Sequence, residues 1–134
     1  MKITLLFIAL ITLGTVTISA QTATSLSPQQ LESFKQVKAR AEKNSAPYAA
    51  KLATTVKRIY SNMLSEHEDQ RLRKQLAGQL HLYTAKLLDI RGQSYRDMVR
   101  VLTREQRKTL REALKQPDAP QDIPELIAKT FGIS

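Results

Sequence analysis

The 134-residue chain contains no cysteine and only four glycines. The absence of cysteine excludes disulfide bonds, thiolate metal ligands and a cysteine nucleophile. The glycines are scattered, so none of them forms a nucleotide-binding loop, and no nucleophile elbow surrounds a serine. We therefore expect a protein that is not an enzyme, needs no cofactor and is held together by packing alone.

The longest apolar run of the chain lies at the N-terminus. Lys2 is followed by the mainly apolar residues 3–13 and then by mostly small residues up to Ala20, which is the order found in secretory signal peptides. The run is shorter than the roughly 18 residues of a membrane-spanning helix, so we expect a chain that does not span the membrane. Cleavage after Ala20 predicts a periplasmic protein that begins at Gln21 and forms one domain.

Basic residues outnumber acidic ones along the whole chain. There are 21 Lys and Arg against 12 Asp and Glu, which gives a net charge of +9. Such a surface attracts anionic partners, whether acidic proteins, lipopolysaccharide or nucleic acid. We expect no nucleic acid, because the protein is predicted to be exported. The basic residues are spread over every predicted helix, a distribution that fits a solvated face as well as a binding surface.

From residue 27 onward, apolar residues recur at spacings of three and four, which predicts amphipathic helices. Ser27 and Pro28 have the residue types of a helix N-cap and first turn. The helix that they begin is expected to end near Asn44, because the segment 45–47 (SAP) supplies a new cap and a proline break. A second helix is expected after this break.

Further N-cap residues predict the remaining helices. Ser65, with Glu68 three positions later, forms a capping-box pattern that predicts the start of the longest helix. Thr103 and Asp122 predict a fourth helix and a short last one. The expected fold class is all-α, with four main helices that include a long helical hairpin, and a short C-terminal helix. The expected organisation is a signal peptide at 1–20, a disordered lead-in at 21–26, a helical domain at 27–116, and a linker with a short helix at 117–134.

Two of the capping boxes share one pattern, in which Leu is followed by Ser or Thr and then by Gln three positions later. They are residues 26–30 (LSPQQ) and 102–106 (LTREQ). Two such boxes around a long helical stretch, in a small exported protein without cysteine, resemble the Spy/CpxP family of periplasmic proteins. Residues 93–110 are especially similar to the second motif of that family. The matching positions are Leu26, Ser27, Gln30, Leu102, Thr103 and Gln106.

This resemblance implies a cradle-shaped, antiparallel homodimer that acts as an ATP-independent chaperone or as a modulator of envelope-stress signalling. The six motif residues are then expected to have a structural role. Unfolded or acidic client proteins would bind a basic, amphiphilic concave surface. In the alternative, the surface binds the periplasmic domain of a sensor kinase. We expect four residues to contact clients, since basic and tyrosine side chains together form adaptable contact surfaces: Lys51, Arg58, Arg91 and Tyr95.

The two histidines, His67 and His81, lie about 21 Å apart along one predicted helix, so they cannot share a metal ion within one chain. His67 has three acidic neighbours, at positions 66, 68 and 69, and this group has two interpretations. It is either a weak zinc or nickel site of a metal sensor, or a set of acids that favours a helix N-terminus. The metal-binding relatives implied by the resemblance use histidine-rich or cysteine-containing segments, which this chain lacks. We therefore expect no metal site.

Overall fold

The structure, a computed structural model, describes residues 25–133. The predicted signal peptide at 1–20 and residues 21–24 of the predicted lead-in lie outside the described residues. The predicted all-α fold is confirmed, since residues 25–133 form helices and no strand. The helices are α1 (Pro28–Met63), α2 (Gln70–Val101), α3 (Arg104–Leu114) and α4 (Ile123–Phe131).

Helix α1 runs through the break that the sequence predicts near Asn44, so this prediction was wrong. Pro47 lies inside the helix. Proline has no N–H group and therefore removes the hydrogen bond to the carbonyl of Lys43, four residues earlier. Both Pro47 and Lys43 are exposed, which leaves that carbonyl accessible to water. The half-buried positions continue on both sides of the proline, and we infer that their packing outweighs the local cost.

The predicted capping box at Ser65 was also wrong, because helix α2 begins at Gln70. The preceding Asp69 is the N-cap: its Oδ1 accepts a hydrogen bond of 3.0 Å from the N–H of Leu72. The Ser65 hydroxyl instead lies 2.7 Å from the carbonyl oxygen of Asn62, within the loop. A carboxylate is a stronger acceptor for helix N–H groups than a hydroxyl, which explains the later start.

The C-terminal helices begin and end close to the predicted residues. Thr103 is the N-cap of α3, and that helix ends at Leu114, before Pro117. Asp122 is at the N-cap position of α4, but its carboxylate accepts no capping hydrogen bond. Gly132 ends α4 with a φ of 70°, a left-handed conformation that glycine adopts without strain.

Two compact units make up the described residues, and each has its own buried side chains. We call residues 25–32 and 101–133 the capping-box unit, and residues 33–100 the hairpin unit. The hairpin unit contains most of α1 and α2, which run antiparallel. The evidence is that Asn62 near the end of α1 bonds to Asp69 before α2, whereas Lys51 lies beside Tyr83 further along.

The buried residues of the hairpin unit are few and partly polar. Its one fully buried large side chain among residues 33–100 is Leu76, with no exposed area. The other buried residues of this unit are Val37, Thr55, Asn62, Ser94 and Met98. Such a thin core agrees with the small number of large apolar residues in the sequence, and it leaves apolar surface exposed elsewhere on the hairpin.

Candidate functional site

The two capping boxes are formed as their sequence pattern predicts. In the first, the Gln30 N–H donates to Ser27 Oγ at 3.1 Å, and the Ser27 N–H donates to Gln30 Oε1 at 2.9 Å. In the second, the Gln106 N–H donates to Thr103 Oγ1 at 3.2 Å, and the Thr103 N–H donates to Gln106 Oε1 at 2.8 Å. Each box therefore satisfies two backbone donors at the start of a helix.

The glutamines of the two boxes are also bonded to each other, which the sequence did not predict. Gln30 Nε2 donates to Gln106 Oε1 at 2.7 Å, and Gln106 Nε2 donates to Gln30 Oε1 at 3.1 Å. Their remaining amide protons bond to the carbonyls of Val101 and Ser25, both at 3.1 Å. The amides are thus saturated with partners. Ser25 and Leu26, which the sequence assigns to the lead-in, take part: Ser25 accepts this bond and Leu26 is half-buried.

The hydrogen bonds of Gln30 and Gln106 are compatible with the structural role expected of the motif residues. Leu102 and Gln106 are buried, with 3% and 4% of their surface exposed. No buried side-chain nitrogen or oxygen in the described part of the chain lacks a hydrogen-bond partner. A groove of about 570 Å³ opens beside the boxes. Its lining consists of the capping residues and their neighbours, whose polar groups are already bonded to one another, so the hairpin unit offers the better candidate for a binding surface.

Lys51 and Arg91 each lie against tyrosine, but in two separate clusters. The Lys51 ammonium is 5.7 Å from the ring centre of Tyr48 and 5.9 Å from that of Tyr83, so it links α1 to α2. Arg91 Nε donates a hydrogen bond of 2.6 Å to the Tyr95 hydroxyl, and its guanidinium lies 5.5 Å from the same ring centre. Both arrangements fall within the range of cation–π contacts.

The helical period assigns these clusters to different sides of the hairpin. Successive residues advance by about 100°, so residues 18 positions apart lie on one line of a helix. The buried pair Val37 and Thr55 marks the inner line of α1, and the buried pair Leu76 and Ser94 marks that of α2. Lys51 lies on one side of the inner line of α1. Tyr95 lies on the other side of the inner line of α2, so the two clusters are on opposite sides of the hairpin.

We call the side of the hairpin that carries Lys51 the basic flank. Arg40, Lys51 and Arg58 lie within about 20° of one another around α1, and all three are exposed. A groove shared by Arg40 and Asn44 of α1 with Gln93 and Asp97 of α2 shows that the corresponding sides of the two helices form this one flank.

We call the opposite side the apolar flank. The three charged residues of α1 between positions 44 and 63 all lie away from this side of the helix. Three of its side chains are more than half exposed: Tyr60 (59%), Met63 (58%) and Leu88 (58%). The remaining apolar members are Ala49, Leu52 and Val56 of α1, and Ala77, Leu80 and Tyr95 of α2.

The four predicted client contacts therefore do not share one surface. Lys51 and Arg58 belong to the basic flank, whereas Arg91 and Tyr95 lie toward the apolar flank. Sequence reasoning did not name Arg40, although it stands three helical turns before Lys51, which is a usable signal. It also missed Tyr48, three positions before Lys51. The contact of Lys51 with Tyr83 depends on how α1 and α2 are aligned, and no local pattern reveals it.

His67 lies in the loop between α1 and α2. No three His, Asp or Glu side chains between residues 25 and 133 are close enough to hold an ion. Asp69 caps α2, which matches the second interpretation of the acidic neighbours. Over the same range, no helix combines the length and the apolar composition needed to cross a membrane.

Comparison of the chain with models of protein families, with curated proteins and with solved structures finds no match.

Proposed function

We propose that the protein is a periplasmic, ATP-independent chaperone that binds unfolded proteins through the apolar flank of its hairpin unit. The observation that carries this proposal is the exposure of Tyr60, Met63 and Leu88 on a side of the hairpin to which α1 contributes no charge between positions 44 and 63. Large apolar side chains exposed on one flank offer surface that another molecule can cover. The resemblance of the two capping boxes to the Spy/CpxP family supports the same function.

The distribution of charge and apolar surface suits capture in two steps. A net charge of +9 attracts acidic segments of a client over distance and raises the rate of encounter. The exposed apolar side chains then cover apolar stretches of the client. Each contributes at most a few kcal/mol, so binding stays weak enough for release without ATP. Arg91 and Tyr95, which are hydrogen-bonded to each other within this flank, add polar groups to such contacts.

A matched pair of leucine variants tests the site. Leu88 and Leu82 are both exposed on α2, at 58% and 53%, but only Leu88 lies on the apolar flank. We expect Leu88→Gln to lower suppression of the aggregation of an unrelated client several-fold, and Leu82→Gln to leave it unchanged. Light scattering in the absence of ATP measures both. Equal effects of the two variants would remove the apolar flank as the client surface.

Further arms of the assay separate the alternatives. Raising salt from about 0.1 M to about 1 M shortens the Debye length from about 10 Å to about 3 Å, so capture should slow. His67→Gln and His81→Gln should leave capture unchanged, whereas a metal sensor would lose zinc or nickel binding with His67.

A protein that suppresses no client at low salt would be a dedicated signalling partner instead. If Leu88→Gln converts a dimer into monomers, the apolar flank is an interface between two copies.

A further inference from the structure

One side of helix α3 carries a group of basic side chains that the proposed function does not use. The capping-box unit, to which α3 belongs, is neutral overall, because its described residues contain six Lys and Arg and six Asp and Glu. Five of the six basic residues lie between positions 104 and 115. We call them the cationic arc: Arg104, Arg107, Lys108, Arg111 and Lys115. Positive charge is therefore concentrated in this unit without being in excess.

The helical period places the cationic arc on one side of α3. Successive residues advance by about 100°, so the five side chains fall within about 100° of one another, and no other residue of α3 lies between them. Lys115 is the C-cap and keeps helical backbone angles. The buried residues Gln106 and Leu110 lie on the other side of the helix. At 1.5 Å per residue the arc is about 16 Å long, so it forms a short, broad face.

The stability of α3 does not account for this arrangement. Arg104 and Arg107 lie in the first turn, where the positive end of the helix dipole disfavours cations. Several members of the arc lie three or four positions apart, and like charges at these spacings weakly destabilise a helix. Among the described residues, Lys115 forms an ion pair of 3.1 Å with Glu112, and the other four members form none. Their charges are thus left for contact with a partner.

An exposed apolar side chain lies at the edge of the cationic arc. Leu114 comes seven positions after Arg107 and three after Arg111, which places it next to both on the helix surface. In the described part of this unit, it is the one large apolar side chain that is more than half exposed, at 55%. A helix that lies on a membrane surface has this combination, because its cations meet phosphate groups and its apolar side chains enter the boundary beneath them.

We infer that the cationic arc and Leu114 bind the surface of a membrane that contains anionic phospholipids. A layer of headgroups can contact all five basic side chains at once, whereas an extended polypeptide follows a line and would meet fewer of them. Residues 104–115 contain no aromatic side chain on which bases could stack, so a single-stranded nucleic acid fits less well. The attraction grows with each cation near the anionic surface, and one apolar side chain adds a contact that stays reversible.

Cosedimentation of the full chain with lipid vesicles tests this inference. It needs no aggregating client, so either proposal can fail while the other stands. We expect more binding to vesicles of phosphatidylglycerol and phosphatidylcholine than to vesicles of phosphatidylcholine alone, and this excess should shrink as salt rises. The excess is the readout, since the apolar residues 3–13 would bind both kinds of vesicle if export leaves them in place. No excess on the anionic vesicles at low salt would overturn the inference.

Two triple variants with the same change in net charge locate the site. Arg104→Gln, Lys108→Gln and Arg111→Gln together remove the exposed, unpaired cations of the arc. Lys35→Gln, Lys57→Gln and Lys74→Gln, all exposed in the hairpin unit, are the control. We expect the first set to weaken binding to the anionic vesicles at least tenfold, and the second to change it less than about twofold. Circular dichroism verifies that both sets remain helical. Equal losses would show that net charge alone attracts the protein, and would overturn the inference.

A pair of leucine variants keeps the inference testable if the first triple variant unfolds. Leu114 and Leu82 are 55% and 53% exposed, and only Leu114 lies beside the arc. Leu114→Gln should weaken binding to the anionic vesicles several-fold, whereas Leu82→Gln should leave it unchanged. Polyglutamate and a single-stranded DNA are the competing ligands, measured by fluorescence anisotropy. If either binds as tightly as the anionic vesicles and is lost in the first triple variant, the arc binds any polyanion, and the inference is overturned.

Discussion

Among the described residues, four of the five buried side chains of the capping-box unit are apolar, whereas three of the six in the hairpin unit are polar. The buried residues of the capping-box unit are Leu102, Leu110, Leu126 and Ile127, together with Gln106. The hairpin unit leaves five large apolar residues more than half exposed, Tyr60, Met63, Leu64, Leu82 and Leu88, whereas the described part of the capping-box unit leaves one, Leu114. Apolar surface that is buried within a unit stabilises its fold. Apolar surface that stays exposed does not stabilise the unit but can contact another molecule.

The largest expected effect is in the hairpin unit, whose one fully buried large side chain is Leu76. We expect Leu76→Ala to cost about 2 to 5 kcal/mol of unfolding free energy, the range for a fully buried leucine. Urea unfolding followed by circular dichroism measures it. Leu88→Ala, on an exposed side chain of the same helix, should change stability by less than about 0.5 kcal/mol. A comparable loss of unfolding free energy in both variants would show that Leu76 is not part of the core of the hairpin unit.

The second effect is a gain from the proline inside α1. Pro47→Ala restores an N–H group that can bond to the carbonyl of Lys43, so we expect a stabilisation of about 1 to 3 kcal/mol. Pro28→Ala is the control in the capping-box unit, because proline at the first turn of a helix costs little. Thermal melts of the two variants compare them. No gain at Pro47 would indicate that the proline is matched to a bend that the hairpin needs.

The third effect is the loss of stability expected when residues of the two capping boxes are replaced. Thr103→Ala should cost about 0.5 to 2 kcal/mol, as the loss of an N-cap does. The double variant with Gln106→Ala should cost less than the two single variants together, because both residues serve one cap. The same subadditivity is expected for Gln30→Ala with Gln106→Ala, whose amides bond each other. Strict additivity in urea melts would show that the boxes act independently.

The smallest effect is pH-dependent and belongs to the surface of the capping-box unit. Lys129 Nζ donates a hydrogen bond of 3.1 Å to Asp118 Oδ2, which lowers the pKa of Asp118 below its ordinary value. A lowered pKa in the folded state stabilises the fold above the unfolded pKa of about 3.9, and this contribution is lost as pH falls through the folded value. Asp118→Asn should therefore lower Tm slightly at neutral pH and not at strongly acidic pH. A difference that persists in acid would exclude the ion pair as its cause.

Local patterns were sufficient at the two bonded capping boxes, although the same kind of pattern failed at Ser65, since Asp69 caps the following helix instead. Ser27 with Gln30, and Thr103 with Gln106, form their boxes because the partners are three positions apart and need no tertiary contact. The helix break near Pro47 was predicted wrongly because that prediction also used only the local pattern. A local rule counts the lost hydrogen bond, but it does not count the packing of α1 along its whole length.

The sequence by itself determined the helical fold class, the two capping boxes and the excess of positive charge, because each follows from residue type and short spacing. Only the tertiary structure decided that Gln30 bonds to Gln106, that Asn62 closes the hairpin loop, and that α1 continues past Pro47. It also separated Lys51 and Arg58 from Arg91 and Tyr95 on the two flanks. These features depend on the alignment of helices distant in sequence, which side-chain packing sets and no short pattern encodes.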